Sequence, residues 1–162
     1  MKLLKQLNKC SIPTVKLSYY NTQQEKVVVK DSKQTYDLIM GYWDKNELEH
    51  HESFKIILLN PNLEMLGIYT VAEGGTCSVA VDSKLILQAA VLANAHGVIL
   101  IHNHPSGNLN PSSEDIGLTR DTVYALDMVG VKLRDHLIIT KEGYFSFSDN
   151  RSFDLETHYL AS

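Results

Sequence analysis

The feature that most constrains the fold of this chain is a continuous apolar run, Val98-Ile99-Leu100-Ile101, which ends at the polar sequence His102-Asn103-His104. A strand that is apolar on both sides has to be covered on both faces, as in the centre of a layered α/β domain. The chain has 162 residues, 44% of them hydrophobic, which suits one domain with its own core. We therefore predict the α/β class, of the α+β type, with a mixed β-sheet and helices packed on it.

Periodicity and turn signals place the other elements around this run. Strands are predicted, besides the run itself, at residues 54–59, 65–71, 131–133, 136–140 and 144–147. The first two are expected to pair antiparallel around Asn60-Pro61-Asn62, and Glu73 follows the second as part of a break. Helices are predicted to begin at the capping residues Asp31, Asp82 and Ser112 and to end near Trp43, Gly97 and Gly130.

The same pattern divides the chain into three parts. Residues 1–30 carry two short strand-like pieces, at 15–20 and 26–30, and are expected to form a β arm packed on the body; a partly ordered tail is the alternative. Residues 31–148 hold the predicted domain, and the polar residues 149–162 are expected to be a C-terminal tail.

Charge and cysteine content narrow the class of protein. The formal net charge is −4, so no global basic field favours nucleic acid as a partner. The chain shows no charged segment followed by an apolar leader, and no apolar run near the roughly 20 residues that span a bilayer. We expect a cytoplasmic protein without a membrane partner, in which Cys10 and Cys77 are free structural thiols.

His102, His104 and Asp115 form a candidate metal site. Two histidines two residues apart at a strand end project to the same side, so both rings can face one ion. Zinc in catalytic sites takes three protein ligands and a water molecule. Asp115, in the first turn of the helix that begins after Ser112, is the natural third ligand, because its carboxylate also offsets the positive end of that helix.

Each part of this pattern has an ordinary structural interpretation. His-x-His at a strand end is more often a polar surface feature than a metal site. Ser112 and Asp115 alone have the spacing of an acidic capping box, a role that can coexist with metal binding. The combination, joined by the rigid turn Pro105-Ser106-Gly107, favours a mononuclear zinc site.

The motif resembles the JAMM signature of the JAB/MPN+ metalloproteases. His102-x-His104-Pro105, six further residues and Ser112-x-x-Asp115 match it at every fixed position. The longer run His102-Asn103-His104-Pro105-Ser106-Gly107 is similar to the RadC family in particular, as is Asp135-His136-Leu137-Ile138-Ile139. The resemblance covers roughly residues 31–148 and implies a JAB/MPN-like, cytidine-deaminase-like arrangement in three layers.

The resemblance also implies catalytic residues. The class needs a glutamate just before the first core strand, and Glu52 fits that place, with Glu73 as the stronger rival. Other glutamates nearby are Glu47, Glu49 and Glu64. Ser112 would hydrogen-bond the developing oxyanion. Asn103 is expected to be structural or to support the ligands, and Asp135 or His136 could orient a ligand imidazole.

The implied activity is hydrolysis of a peptide or isopeptide-like amide bond by metal-activated water. The substrate and the oligomeric state stay open. One alternative is a DNA-repair-associated RadC-like protein, although this chain lacks room for the N-terminal helical region of many relatives and its charge does not support DNA binding. The other alternative is a non-catalytic metal-bound interaction module.

Overall fold

The computed structural model describes residues 18–19, 26–74, 80–150 and 155. Its helices are α1 (Ser32–Tyr42), α2 (Ser83–Leu92) and α3 (Ser113–Asp127), and its strands are β1 (Ser53–Leu59), β2 (Met65–Glu73), β3 (Gly97–Asn103), β4 (Lys132–Ile139) and β5 (Tyr144–Ser146).

The five strands form one mixed sheet in the order β2-β1-β3-β4-β5. β1 runs antiparallel to both β2 and β3, β3 runs parallel to β4, and β5 returns antiparallel to β4. β3 is central and every one of its residues is buried. The apolar run 98–101 is thus covered on both faces, and the predicted mixed α/β sheet is confirmed.

Helices cover both faces of the sheet because successive strand residues alternate between them. On one face, α2 and α3 contribute Ile86 and Leu126 to a core cluster that includes Leu100. On the other face, α1 contributes Ile39 to a second cluster that includes Ile99. The result is the predicted arrangement in three layers, with the sheet in the middle.

The helix boundaries follow local capping chemistry. Asp31, Asp82 and Ser112 each accept a backbone N–H with the side chain at the N-terminus of a helix, as predicted. After α3, Gly130 adopts a φ of 72°, a left-handed conformation that favours glycine and suits a helix end.

The end of α2 differs from the prediction. The helix stops at Leu92, and Asn94, with a φ of 51°, provides the left-handed residue in place of Gly97. Gly97 instead opens β3, paired with Leu59 and Lys132. An added Cβ at Gly97 would lie 3.0 Å from the Arg134 side chain, which would have to shift to make room.

The strand assignments differ at two further places. Residues 131–133 and 136–140 were predicted as separate strands, but β4 is continuous, with a register irregularity that leaves Arg134 as an extra residue between Leu133 and Asp135. β2 continues through Glu73, which pairs with Ser53, so Glu73 belongs to the strand it was expected to end.

The N-terminal prediction is only partly within the described residues. Of the predicted strand 26–30, Val28 forms an isolated antiparallel bridge with Glu64. The predicted strand 15–20 lies outside the description except for residues 18 and 19, where the Tyr19 hydroxyl donates to the Leu66 carbonyl. Within the described ranges, no helix has the length and apolar character required to cross a bilayer.

Candidate metal centre and cleft

The two histidines are held at the end of the central strand. His102 lies in β3 and pairs with Phe54 on one side and Ile138 on the other. His104 follows the strand, and its backbone N–H donates to the Ile139 carbonyl at 3.0 Å, which continues the parallel pairing by one residue. The two rings are perpendicular, with centroids 4.7 Å apart.

Asp115 is fixed by the capping box at the start of α3. The Ser112 hydroxyl accepts the Asp115 backbone N–H at 3.1 Å, and Asp115 Oδ2 accepts the Ser112 backbone N–H at 2.8 Å. The Ser112 hydroxyl also donates to Asp115 Oδ2 at 2.6 Å. The predicted acidic capping box is confirmed, and it orients the carboxylate toward the strand end.

The three side chains meet in one cluster. Asp115 Oδ1 lies 3.0 Å from His102 Nδ1, and Asp115 Oδ2 lies 3.5 Å from His104 Nε2. One ligand atom from each residue can be chosen so that all three lie within 4.8 Å of one another. The cluster could therefore hold a metal ion, as the spacing predicted.

The donor atoms fit a zinc ion. His104 Nδ1 lies 2.6 Å from the Asn108 carbonyl, so Nδ1 carries the hydrogen of the neutral ring. Nε2, on the side of Asp115, can then offer its lone pair to a metal ion. His102 Nε2 is buried and has no hydrogen-bond partner in the described part of the chain. Two imidazole nitrogens and one carboxylate oxygen are a ligand set that zinc accepts.

The electrostatics of the cluster favour a cation. Burial by itself raises the pKa of Asp115, but hydrogen bonds from His102, His104 and Ser112 hold the pKa far below its ordinary value. The hydrogen bond to Asp115 raises the pKa of His104. Without metal, His104 thus retains a proton to higher pH than usual, and a bound metal ion would have to displace it.

Of the glutamates considered as the base, Glu52 is the one that lies beside this cluster. Its Oε2 is 3.7 Å from His102 Nε2, and its side chain is 13% exposed. Its rival, Glu73, is 53% exposed and pairs with Lys55 Nζ at 3.2 Å.

The other glutamates near the motif lie elsewhere. Glu64 binds Lys26. Glu49 pairs with Lys141. Glu52 lines the cleft around the cluster, whereas Glu47, Glu49, Glu64 and Glu73 do not.

Asn103 secures the segment that carries Glu52. It is completely buried, and its side-chain oxygen accepts the Ser53 backbone N–H at 2.7 Å. Its amide group donates to the carbonyls of Leu48 and His51, both at 2.9 Å. Because neighbouring strand residues point to opposite faces, Asn103 turns away from the histidines and holds residues 48–53 against β3.

Asp135 and His136 hydrogen-bond to no ligand imidazole, which differs from the prediction. Asp135 pairs with Ile99 in the sheet, and its carboxylate accepts from Ser146, Ser148 and the His136 backbone. His136 Nδ1 lies 2.7 Å from the Thr119 hydroxyl, which donates to the Asp115 carbonyl at 2.6 Å. His136 is therefore linked through Thr119 to the backbone of α3, the helix that carries Asp115. Asp135 faces the other side of the sheet.

The cluster opens into a cleft of about 710 Å³. Its lining includes residues that the motif did not single out, namely Phe54, Val81, Asn108, Asn110, Glu114 and Leu118. The segment from 104 to 112 signals a loop in the sequence, so its polar residues could have been anticipated. Val81 carries no local signal, because only the packing of α2 against the sheet brings it to the cleft.

Comparison with known proteins gives one family. A family model described as RadC-like JAB domain matches residues 29–152. A UPF0758 protein of Salinibacter ruber is 41% identical over 103 residues, which cover 64% of this chain and 44% of the relative. A UPF0758 protein of Porphyromonas gingivalis is 37% identical over 122 residues, covering 75% and 52% of the two chains.

A third similar protein is the UPF0758 protein TTE0897 of Caldanaerobacter subterraneus, 32% identical over 136 residues, or 84% of this chain and 57% of that one. The chain thus spans about half the length of the curated relatives it matches. The comparison covers the domain that holds the cluster and leaves the rest of the relatives unmatched.

Proposed function

Because the chain belongs to the RadC-like JAB domain family, as its motif predicted, we propose that it is a zinc-dependent hydrolase of peptide or isopeptide-like amide bonds. The observation that carries this proposal is the convergence of His102, His104, Asp115 and Glu52 on one open cleft. Three ligand side chains with an adjacent carboxylate are what hydrolysis by a metal-activated water requires.

In such a site a zinc ion acts as a Lewis acid and lowers the pKa of a water molecule toward about 7. The protein supplies the ligand geometry from two rigid elements, since β3 holds His102, His104 directly follows that strand, and the first turn of α3 holds Asp115. Sites built on such elements keep their geometry better than sites built on loops alone.

Glu52 is proposed as the general base. A carboxylate at the rim of the ligand cluster can take a proton from water and later return it to the leaving amine. Glu52 precedes β1 in a segment without regular structure, so it needs support from elsewhere. Asn103 provides that support through its three hydrogen bonds to the backbone of residues 48–53.

Ser112 is proposed as the donor to the oxyanion that forms when the amide carbonyl is attacked. Its hydroxyl has one hydrogen, which is donated to Asp115 Oδ2. To serve the oxyanion, the hydroxyl has to turn away from Asp115. Only the hydrogen has to move: the Ser112 oxygen still accepts the Asp115 backbone N–H, and Asp115 Oδ2 keeps the backbone N–H of Ser112. The capping box therefore survives the change.

The test is a comparison of Glu52→Gln with its matched control, Glu73→Gln. Zinc content is measured by elemental analysis, and hydrolysis by mass spectrometry of new amino termini in a mixed library of peptides and isopeptide-linked peptides. We expect wild type to bind about one zinc per chain and to hydrolyse part of the library. Glu52→Gln should keep the zinc and lose roughly 100-fold or more in rate, and Glu73→Gln should behave as wild type.

Two results would overturn the proposal. Wild-type protein with one zinc that hydrolyses nothing in the library would remove the enzymatic function. Hydrolysis that persists in Glu52→Gln and disappears in Glu73→Gln would reassign the base.

A further inference from the structure

The walls of the cleft differ in chemistry. Val81 and Leu118 are half-buried, and both pack against the core cluster that includes Phe54. On another part of the lining, the loop before α3 presents the polar side chains of Ser106 and Asn108. The cleft thus offers an apolar surface beside the metal ligands rather than a uniformly polar one.

Leu118 is placed close to the cluster by the helix. It lies three residues after Asp115 and four after Glu114, so the three side chains share one side of α3. A group bound at Asp115 therefore has an aliphatic surface one helical turn away. His102, whose buried Nε2 has no hydrogen-bond partner among the described residues, lines the same cleft.

Apart from the two histidines of the cluster, the charged side chains in the described lining of the cleft are all acidic. They belong to Glu52, Glu114 and Asp115, and none of the described lining residues is a lysine or an arginine. A divalent ion would offset the charges next to it, whereas Glu114 is exposed and accepts a hydrogen bond from the Ser113 hydroxyl at 3.1 Å. An exposed glutamate is ionised at neutral pH, so Glu114 offers a negative charge in the lining of the cleft.

We infer that the cleft accepts a peptide segment with an aliphatic side chain against Val81 and Leu118 and a basic side chain at Glu114. This inference rests on the proposed function for the position of the amide bond, which lies at the ligand cluster. Nucleic acid and acidic peptides are disfavoured, because their negative charges would face Glu114 and no lysine or arginine stands among the described lining residues.

The spacing of the two side chains follows from the helix. Residues four apart on a helix have Cβ atoms about 5–6 Å apart. An extended peptide advances about 3.3 Å per residue and presents every second side chain to the same side. The aliphatic and basic residues of the ligand should therefore be two positions apart.

The test uses short end-blocked peptides with a fluorophore, in which leucine and arginine are two positions apart. The comparison peptides carry glutamate in place of arginine or serine in place of leucine, and a single-stranded oligothymidylate of equal length represents nucleic acid. Binding is measured by fluorescence anisotropy on zinc-loaded Glu52→Gln protein. Each replacement should weaken binding about tenfold, and the oligonucleotide should not bind.

Two variants test whether Glu114 causes the preference for arginine and Leu118 the preference for leucine. Glu114→Lys should reverse the preference for arginine over glutamate, and Leu118→Ser should remove the preference for leucine over serine. Asp121→Lys makes the same charge change on the same helix, at an exposed residue outside the cleft lining, and should leave both preferences unchanged.

The inference is overturned if no peptide binds at millimolar concentration, if acidic and basic peptides bind equally, or if Glu114→Lys has no more effect than Asp121→Lys. Its failure can be told apart from failure of the hydrolase proposal. Selective binding without cleavage by the wild-type protein would contradict only the hydrolase. Cleavage without the two preferences would contradict only the ligand class.

Discussion

Two aspartates in this protein are equally buried and differ in almost everything else. Asp115 is 4% exposed and Asp135 is 5% exposed. Asp115 faces two imidazole rings at the mouth of a cleft. Asp135, on the other side of the sheet, faces hydroxyl and backbone N–H donors from Ser146, Ser148 and His136. Their pKa values move in opposite directions, far down for Asp115 and up, through burial, for Asp135.

The difference teaches what distinguishes a ligand from an anchor. An imidazole can give up its proton and offer a lone pair, so a carboxylate surrounded by imidazoles can share a cation with them. Hydroxyl and amide groups that donate to a carboxylate leave no such option. Asp135 therefore ties the end of β5 and the following turn to β4, whereas Asp115 stays available to an ion.

The largest difference expected between substitutions of Asp115 and Asp135 is in zinc binding. Asp115→Ala removes one of the three proposed ligands and should weaken zinc binding by more than about 100-fold, because loss even of a supporting residue costs 10–100-fold. Asp135→Asn, which keeps the shape of the buried side chain, should change zinc affinity no more than a few-fold. Competition with a chromophoric chelator measures both. Equal losses in the two variants would mean that Asp115 is not a ligand.

A second test concerns His136, which connects the two aspartates. Its backbone N–H donates to Asp135, and its ring reaches Thr119, which donates to the Asp115 carbonyl. Burial lowers the pKa of His136 to about 3. Since the folded-state pKa lies below the unfolded value, the stability it contributes is present above about pH 6.5 and is lost as pH falls toward 3.

In metal-free protein, the titration of His136 should lower the free energy of unfolding by about 3 kcal/mol when the pH falls from 7 to 4. His136→Phe should remove that part of the pH dependence. The ring lies between Phe54 and Phe147, and the Thr119 hydroxyl keeps its bond to Asp115. Urea unfolding of both proteins at the two pH values gives the comparison. Parallel pH dependences would show that His136 is not held neutral.

The sequence predicted the site better than its surroundings. β3 is recognisable because residues 98–101 are all apolar, and strand geometry then puts His102 and His104 on one side. Asp115 was found because helix capping is a local interaction with a fixed spacing. The position expected for Glu52 came from family resemblance, and its role as base stays a prediction.

What the sequence did not reveal depends on contacts between distant segments. Arg134 becomes an extra residue in β4 only through its pairing with β3, and Asn94 ends α2 where Gly97 was expected to. The three hydrogen bonds of Asn103 join residues about 50 positions apart in the chain. Such contacts have no periodicity and no fixed spacing, so no local pattern could announce them.

The anchor role of Asp135 predicts a loss of stability with little effect on zinc. Asp135→Ala leaves the Ser148 backbone N–H and the Ser146 hydroxyl without their acceptor and should cost about 2 kcal/mol. Asp135→Asn should cost less, because it keeps an acceptor and removes a charge that burial disfavours. Urea unfolding of metal-free variants at pH 7 measures both costs. A larger loss in Asp135→Asn than in Asp135→Ala would contradict the assignment.

The smallest expected effect comes from substitutions of Ser112, which test whether helix capping and metal binding are separate roles of the Ser112–Asp115 pair. Ser112→Ala removes the acceptor of the Asp115 backbone N–H and should cost about 1 kcal/mol of metal-free stability. Ser112→Gly should cost only a few tenths, since glycine leaves that N–H open to water. Both variants retain the three ligands, so zinc binding should fall far less than in Asp115→Ala. If Ser112→Ala instead weakened zinc binding as much as Asp115→Ala does, the capping box would be a condition of metal binding rather than a separate support for the helix.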